Sequence, residues 1–513
     1  MKKLVAIFMS AIMLASLAAC GGGGGGQGVG VVPHEIFTTD EPLTGEITVS
    51  AFETIMSRDF LLEAAAMFEE KHPGTTINIE TFSAMPEMRT METEDGGMVS
   101  VTMVEDDPQA RTDYINRISA QLMSGAGPDI LAMDVLPIHR LARAGFLEDL
   151  SAYMHADPHF DLGEFRTNIF EAASFDGGMW FVPLDYRFTF YTFDSTLIPA
   201  GQAAGFGPDR AFTTRQLLET GSSLHDGSAM LFNTPDFTPG MRGMWGSIFA
   251  MLLNESFSDF VDLERRTANF DDGRFAALLT SIQEYAERGY IQQGLSGGMD
   301  FERIMSDFDR QPTERTFFKT KNSGMLAMEF LRDADNEMRT WGGGLHMIED
   351  DDQIAGMAAD ANGNVAFTFT HGYAINSNSQ NKRLAWEFIK FLLSHELQTS
   401  PNAMMRMGRP VRLSAVHPQA ETFFGWMTGE MTMIFGDPRG QAAPALSDEM
   451  REVLYAYIKT ADIMSDQINT MNMRDVIITD IIAAEAALFF DGTKSADQVA
   501  ASLQSRLQLI LSE

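Results

Sequence analysis

The sequence predicts an α/β fold. Short stretches with period-two apolar alternation, such as Ile47 and Val49 in 46–51 and Ile77-Asn78-Ile79, are separated by helix-like stretches of ten or more residues. That order implies βαβ units and a mostly parallel sheet. The length, 513 residues, suggests two or three globular units. Hydrophobic residues at 45% and charged residues at 21% are near the average for soluble globular chains, so the sequence has enough apolar material for a large core.

Lys2 and Lys3, an apolar run from Leu4 to Ala15, and the small residues of Leu17-Ala18-Ala19-Cys20 have the layout of a secretory signal over residues 1–19. The apolar stretch is short for a membrane span. Leu-Ala-Ala-Cys also resembles the bacterial lipoprotein box, which implies that Cys20 is lipidated and becomes the new N-terminus; the alternative is an ordinary signal with an incidental cysteine. Residues 20–45 then read as a tether, with Gly21 to Gly26 uninterrupted and Pro33 and Pro42 as breakers. Its coil reach is roughly 25 to 30 Å. The expected location is the cell membrane, with the body facing the extracellular side or periplasm.

The folded body opens with a strand at 46–51 and a helix from about Asp59 to His72, stopped by His72-Pro73-Gly74. A strand at 77–79, a helix over Asp113–Met123, a short strand at Asp129–Met133 and a helix near Ile138–Ala144 follow. The middle, about Thr213 to Gly289, is expected to be mainly helical. Asn362-Gly363 marks a turn before a strand at Val365–Thr370, and Ser377–Leu393 contains a helix. Asp475–Phe490 is helical, and Ser495 with Gln498 forms a capping box for the last helix.

Several strings are similar to those of bacterial extracellular solute-binding proteins of family 1, the sugar-type receptors of ABC importers. They are Phe68-Glu69-Glu70-Lys71-His72-Pro73-Gly74, Ser124-Gly125-Ala126-Gly127-Pro128-Asp129-Ile130, Gly372-Tyr373-Ala374-Ile375-Asn376 and Met407-Gly408-Arg409-Pro410-Val411-Arg412. The resemblance runs in order over most of Glu46 to Glu513. It implies a two-lobe, periplasmic-binding-protein-like (type II) fold with a hinge and a helix-rich second lobe. The expected division is 46–184 plus 346–394 for lobe 1 and 185–345 plus 395–513 for lobe 2, with crossings near Asp185, His346 and Ser394. Two departures stand out: Met88–Asp107 reads as an acidic insertion, and Thr192-Phe193-Asp194-Ser195 stands where many relatives carry a Tyr-Asn pair.

A saccharide offers hydroxyls and apolar C–H faces, so its cleft needs carboxylates or amides and aromatic rings. Asp134 and Glu53 follow predicted strands, where open α/β sheets meet ligands; a helix cap is the alternative for Asp134. Asp185 and Tyr186 lie at the expected hinge, as ligand contacts or as structural hydrogen-bonding groups. Trp245, Trp341 and Trp426 are candidate stacking rings, with core packing as the alternative. Arg409 faces the cleft or bridges the lobes. Trp386, within an apolar helix, reads as core.

The balance of 37 basic to 71 acidic side chains, formal net charge −34, argues against a nucleic-acid partner. One cysteine excludes internal disulfides. Ten scattered histidines without a His-Glu-x-x-His arrangement predict no zinc site, and Glu349-Asp350-Asp351-Asp352 reads as a solvated acidic loop rather than a calcium site. No catalytic residue, metal or cofactor is expected. The reading is a monomeric, lipid-anchored receptor that captures a small solute, a saccharide, for the permease subunits of an ABC importer. A surface adhesin or sensor of the same fold, or a glycoside-acting enzyme with paired carboxylates, is the alternative.

Overall fold

Alternation decides the first strand, Gly45–Phe52, in which Ile47, Val49 and Ala51 are buried. The computed structural model describes residues 42–52, 57–82, 87–92, 98–103, 108–227, 229–233, 248–291, 315–324, 326–327, 330, 352–400, 408–428, 446–472 and 475–512. The first strand pairs in parallel with Thr75–Phe82 in unbroken register, Gly45 opposite Thr75 and Phe52 opposite Phe82. Between them the helix Ser57–Lys71 buries Phe60, Leu61, Ala64 and Phe68. It gives way to a turn in which Gly74 adopts φ +101°, a conformation open to glycine at little cost.

Ile130–Ala132 joins the other edge of the first strand in parallel. Gly372–Ile375 follows antiparallel, and Val182–Pro183 completes a five-stranded sheet. The sheet packs with the helices Pro108–Met123 and Lys382–Leu392, whose Tyr114, Ile118, Phe388 and Leu392 are buried. Trp386 is wholly buried in this core, and its Nε1 donates to Asp157 at 2.9 Å.

The second sheet departs from the mostly parallel expectation. It is organised around one long strand, Asp185–Asp194, which pairs antiparallel with Thr316–Asn322, Asp352–Ala358, Ala366–Thr368 and Arg409–Pro410. Phe188 and Phe190 belong to the core of the first sheet, while Tyr191 and Phe193 belong to a second core. That second core gathers the helices Ile248–Phe260, Arg274–Glu287, Val476–Phe490 and Ala496–Ser512.

The crossings refine the expected boundaries. The chain leaves the first sheet at Leu184, between Val182–Pro183 and Asp185–Asp194. It returns over residues 369–371, because Asp352–Ala358 and Ala366–Thr368 hydrogen-bond to the second sheet; His346, the expected point of return, lies outside the described residues. The helices Leu413–Thr428 and Asp448–Ser465, expected in the second lobe, contribute Phe424, Leu454 and Ala461 to the first core, so the chain does not leave the first lobe for good near Ser394 and joins the second core only with the helix Val476–Phe490. The stretch read as an acidic insertion contains an antiparallel hairpin, Glu87–Glu92 with Met98–Met103. Asp352 is not solvated: it is 2% exposed, and Lys319 donates to both its oxygens at 3.0 and 3.1 Å. Glu349, Asp350 and Asp351 lie outside the described residues.

Candidate functional site

Parallel strands of an open α/β sheet present loops at their carboxyl ends, and ligands meet such sheets there. At this edge of the five-stranded sheet, Phe52 and Phe82 close two adjacent strands in the same register. Their ring centroids are 6.3 Å apart. Tyr114, from the first half of the helix Pro108–Met123, completes a triangle at 5.6 Å from Phe52 and 5.7 Å from Phe82. Phe52 and Phe82 stay partly exposed, whereas Tyr114 is buried and its hydroxyl lies 3.3 Å from Ser50 Oγ. Arg117 lies over the Phe82 ring at 5.9 Å.

Asp134 follows the strand Ile130–Ala132 at the same edge. Its Oδ1 is sealed from solvent with no hydrogen-bond partner among the described residues. Burial pushes the carboxyl up to about 7, and the N–H groups of Asp134 and Val135 hold it down only in part. The same charge contributes to a Tyr114 hydroxyl held above the usual phenol range, chiefly by burial. The edge therefore combines two partly exposed aromatic faces with a buried carboxyl oxygen that has no partner among the described residues, a combination suited to a ligand with C–H faces and hydroxyls.

The other expected site residues fall elsewhere. Asp185 is buried where the crossing segments meet: it accepts from the Thr370 N–H at 2.8 Å and lies 2.8 Å from His371 Nδ1. Tyr186 donates to Ser465 Oγ at 3.0 Å and accepts from Arg409 Nε at 3.1 Å. Arg409 also reaches Tyr457 Oη at 3.2 Å and Asp462 at 3.1 Å. Burial opposes the Arg409 charge, but Tyr186, Tyr457 and Asp462 together outweigh it, so its pKa lies above the ordinary value. Asp185 is thus engaged by Thr370 and His371, and Tyr186 and Arg409 by one another and by Ser465, Tyr457 and Asp462, so all three hold crossing segments together. A Cβ on Gly408 would stand 2.8 Å from Asp185, so glycine permits the strand Arg409–Pro410 to lie this close to Asp185–Asp194. Glu53, Trp245, Trp341 and Cys20 lie outside the described residues, and of Trp426 only its place in the helix Leu413–Thr428 is described.

Phe52, Phe82 and Tyr114 were missed from the sequence. The available signal was that Phe52 and Phe82 each end a strand-like stretch on either side of one helix. An open pocket of about 380 Å³ also exists, but it lies among Phe193, Phe206, Phe330 and Thr460, away from this edge.

Two sheets, each with its own core and joined by crossing segments, define a hinged two-lobe binding-protein fold. The chain belongs to the bacterial extracellular solute-binding protein family, whose model matches residues 89–423. Its fold is that of solved two-lobe receptors. A family 1 extracellular solute-binding protein from Alicyclobacillus acidocaldarius aligns at 14% identity over 93% of this chain and 100% of its own, with a TM-score of 0.53. The GacH receptor of Streptomyces glaucescens, solved unliganded and with acarbose, aligns at 13% identity over 92% and 99% with a TM-score of 0.51. An ABC substrate-binding protein from Listeria monocytogenes, solved with cycloalternan, aligns at 13% identity over 91% and 99%, also at 0.51.

Proposed function

We propose that this protein is a lipid-anchored extracellular receptor that captures a saccharide between its lobes and delivers it to an ABC importer without altering it. The observation that carries the reading is the pairing of partly exposed Phe52 and Phe82 with Asp134, whose Oδ1 has no partner among the described residues, at one strand edge. Aromatic faces pack on sugar C–H groups, and a carboxyl orients hydroxyls. The acarbose and cycloalternan complexes of proteins that share the fold support a saccharide of more than one ring. Cys20, after Leu17-Ala18-Ala19, is the proposed anchor, and the glycine tract behind it is the tether.

Calorimetric titration of the chain with linear and cyclic oligosaccharides is the test. At least one is expected to bind at micromolar Kd, to lose about tenfold or more in affinity in Asp134→Ala, and to be recovered intact by mass spectrometry after hours with excess protein. Cleaved sugar in proportion to protein would move the assignment to an enzyme. In a parallel arm, Cys20→Ser is expected to shift the protein from the membrane to the soluble fraction. Unchanged membrane association would remove the lipid anchor from the account.

A further inference from the structure

The two lobes touch, and the contacts pair opposite charges at two points. From the first lobe, Arg111 begins the helix Pro108–Met123 at the site edge, and Arg140 and Arg143 lie on the helix Ile138–Arg143 that follows Asp134. From the second lobe, Asp475 and Asp480 lie at the start of the helix Val476–Phe490. Arg140 reaches Asp475 at 3.1 Å and Arg111 reaches Asp480 at 3.7 Å. Arg143, held by Asp176 at 2.8 Å, donates to the Leu263 carbonyl in the turn between the strands Val261–Asp262 and Thr267–Ala268 of the second lobe. Ile477 packs against both cores at the same place.

We propose that Arg140–Asp475 and Arg111–Asp480 form an electrostatic latch that holds a fraction of the ligand-free protein closed over the Asp134 edge. The proposal rests on the hinged-receptor reading given above. Asp475 is only 9% exposed, so its pairing with Arg140 is shielded more than a surface ion pair, while Arg140 at 47% leaves the contact accessible to salt. Partly exposed pairs are worth little singly, so the latch biases closure without completing it. The remaining shift is left to a ligand with differential affinity for the closed state.

The test reads lobe separation directly in the full-length chain. Cys20 is the single cysteine, so Cys20→Ser allows two spin labels at Met123→Cys and Leu509→Cys, residues 70% and 62% exposed on helices of different lobes. Arg140→Gln and Asp475→Asn each remove one partner; Asn retains the helix cap that Asp475 supplies to the Ile477 and Ile478 N–H groups. Each variant is expected to lower the closed-to-open ratio by about 2- to 5-fold at low salt, the double variant no further than the larger single effect, and high salt to do the same to the parent. A separation that does not change in either variant, or changes in only one, overturns the latch. If an oligosaccharide still narrows the distribution in that case, the receptor reading stands without the latch. If neither variant nor any binding saccharide changes the separation, the hinge reading falls with it.

Discussion

Replacing Asp134 by asparagine is expected to raise the unfolding free energy at pH 8 by up to about 4 kcal/mol and by only about 1 kcal/mol near pH 4.5. The carboxyl's folded-state pKa of about 7 lies above its ordinary value of 3.8, because burial penalises the charge. Between those values the unfolded chain releases the proton and the folded chain keeps it. The unfolded state then binds fewer protons, so stability falls as pH rises from about 4 to about 7 and stays reduced above it. Asparagine cannot ionise and removes that dependence. Urea unfolding of both proteins at the two pH values checks this. An equal or opposite-signed difference at pH 8 would mean that Asp134 is ionised at little cost and already has a partner in the folded protein. A buried carboxyl that lowers stability in this way is the kind of group a protein keeps where its function uses it.

Arg409→Leu is expected to cost about 3 kcal/mol of stability, with Arg409→Lys recovering only part of it. The guanidinium is 6% exposed and bonds Tyr186, Tyr457 and Asp462 in three directions. Removing it leaves buried hydroxyls without their donor, and an ammonium cannot match the planar fork. Because these bonds join the Asp185–Asp194 strand to the Asp448–Ser465 helix, the loss should appear as a lower denaturant midpoint with an unchanged slope. A midpoint within experimental error of the parent would show that the network contributes no stability to the hinge.

The first βαβ unit was legible because each element presents one buried face: Ile47, Val49 and Ala51 on the strand, and Phe60, Ala64 and Phe68 on the helix. The strand Asp185–Asp194 was not, since Phe188 and Phe190 enter one core and Tyr191 and Phe193 the other, which removes the polar alternation that marks a half-buried strand. Asp134 could be found by its place after a short apolar strand. The partners of Asp185, Tyr186 and Arg409 could not, because His371 comes from the return crossing and Asp462 from a helix far along the chain, and periodicity carries no information at that range. Charged and aromatic residues at a hinge therefore looked like cleft residues until their partners were placed.

On the reading proposed above, a saccharide binds between the lobes and closes them. Small-angle scattering of the chain at high salt, where ion pairs between the lobes are screened, tests it most directly when a saccharide that calorimetry shows to be bound is added to saturation. The radius of gyration is expected to be smaller with the saccharide than without it, with no such change in Asp134→Ala at the same saccharide concentration. An unchanged radius in the parent protein, with binding confirmed in the same sample, would contradict capture by lobe closure.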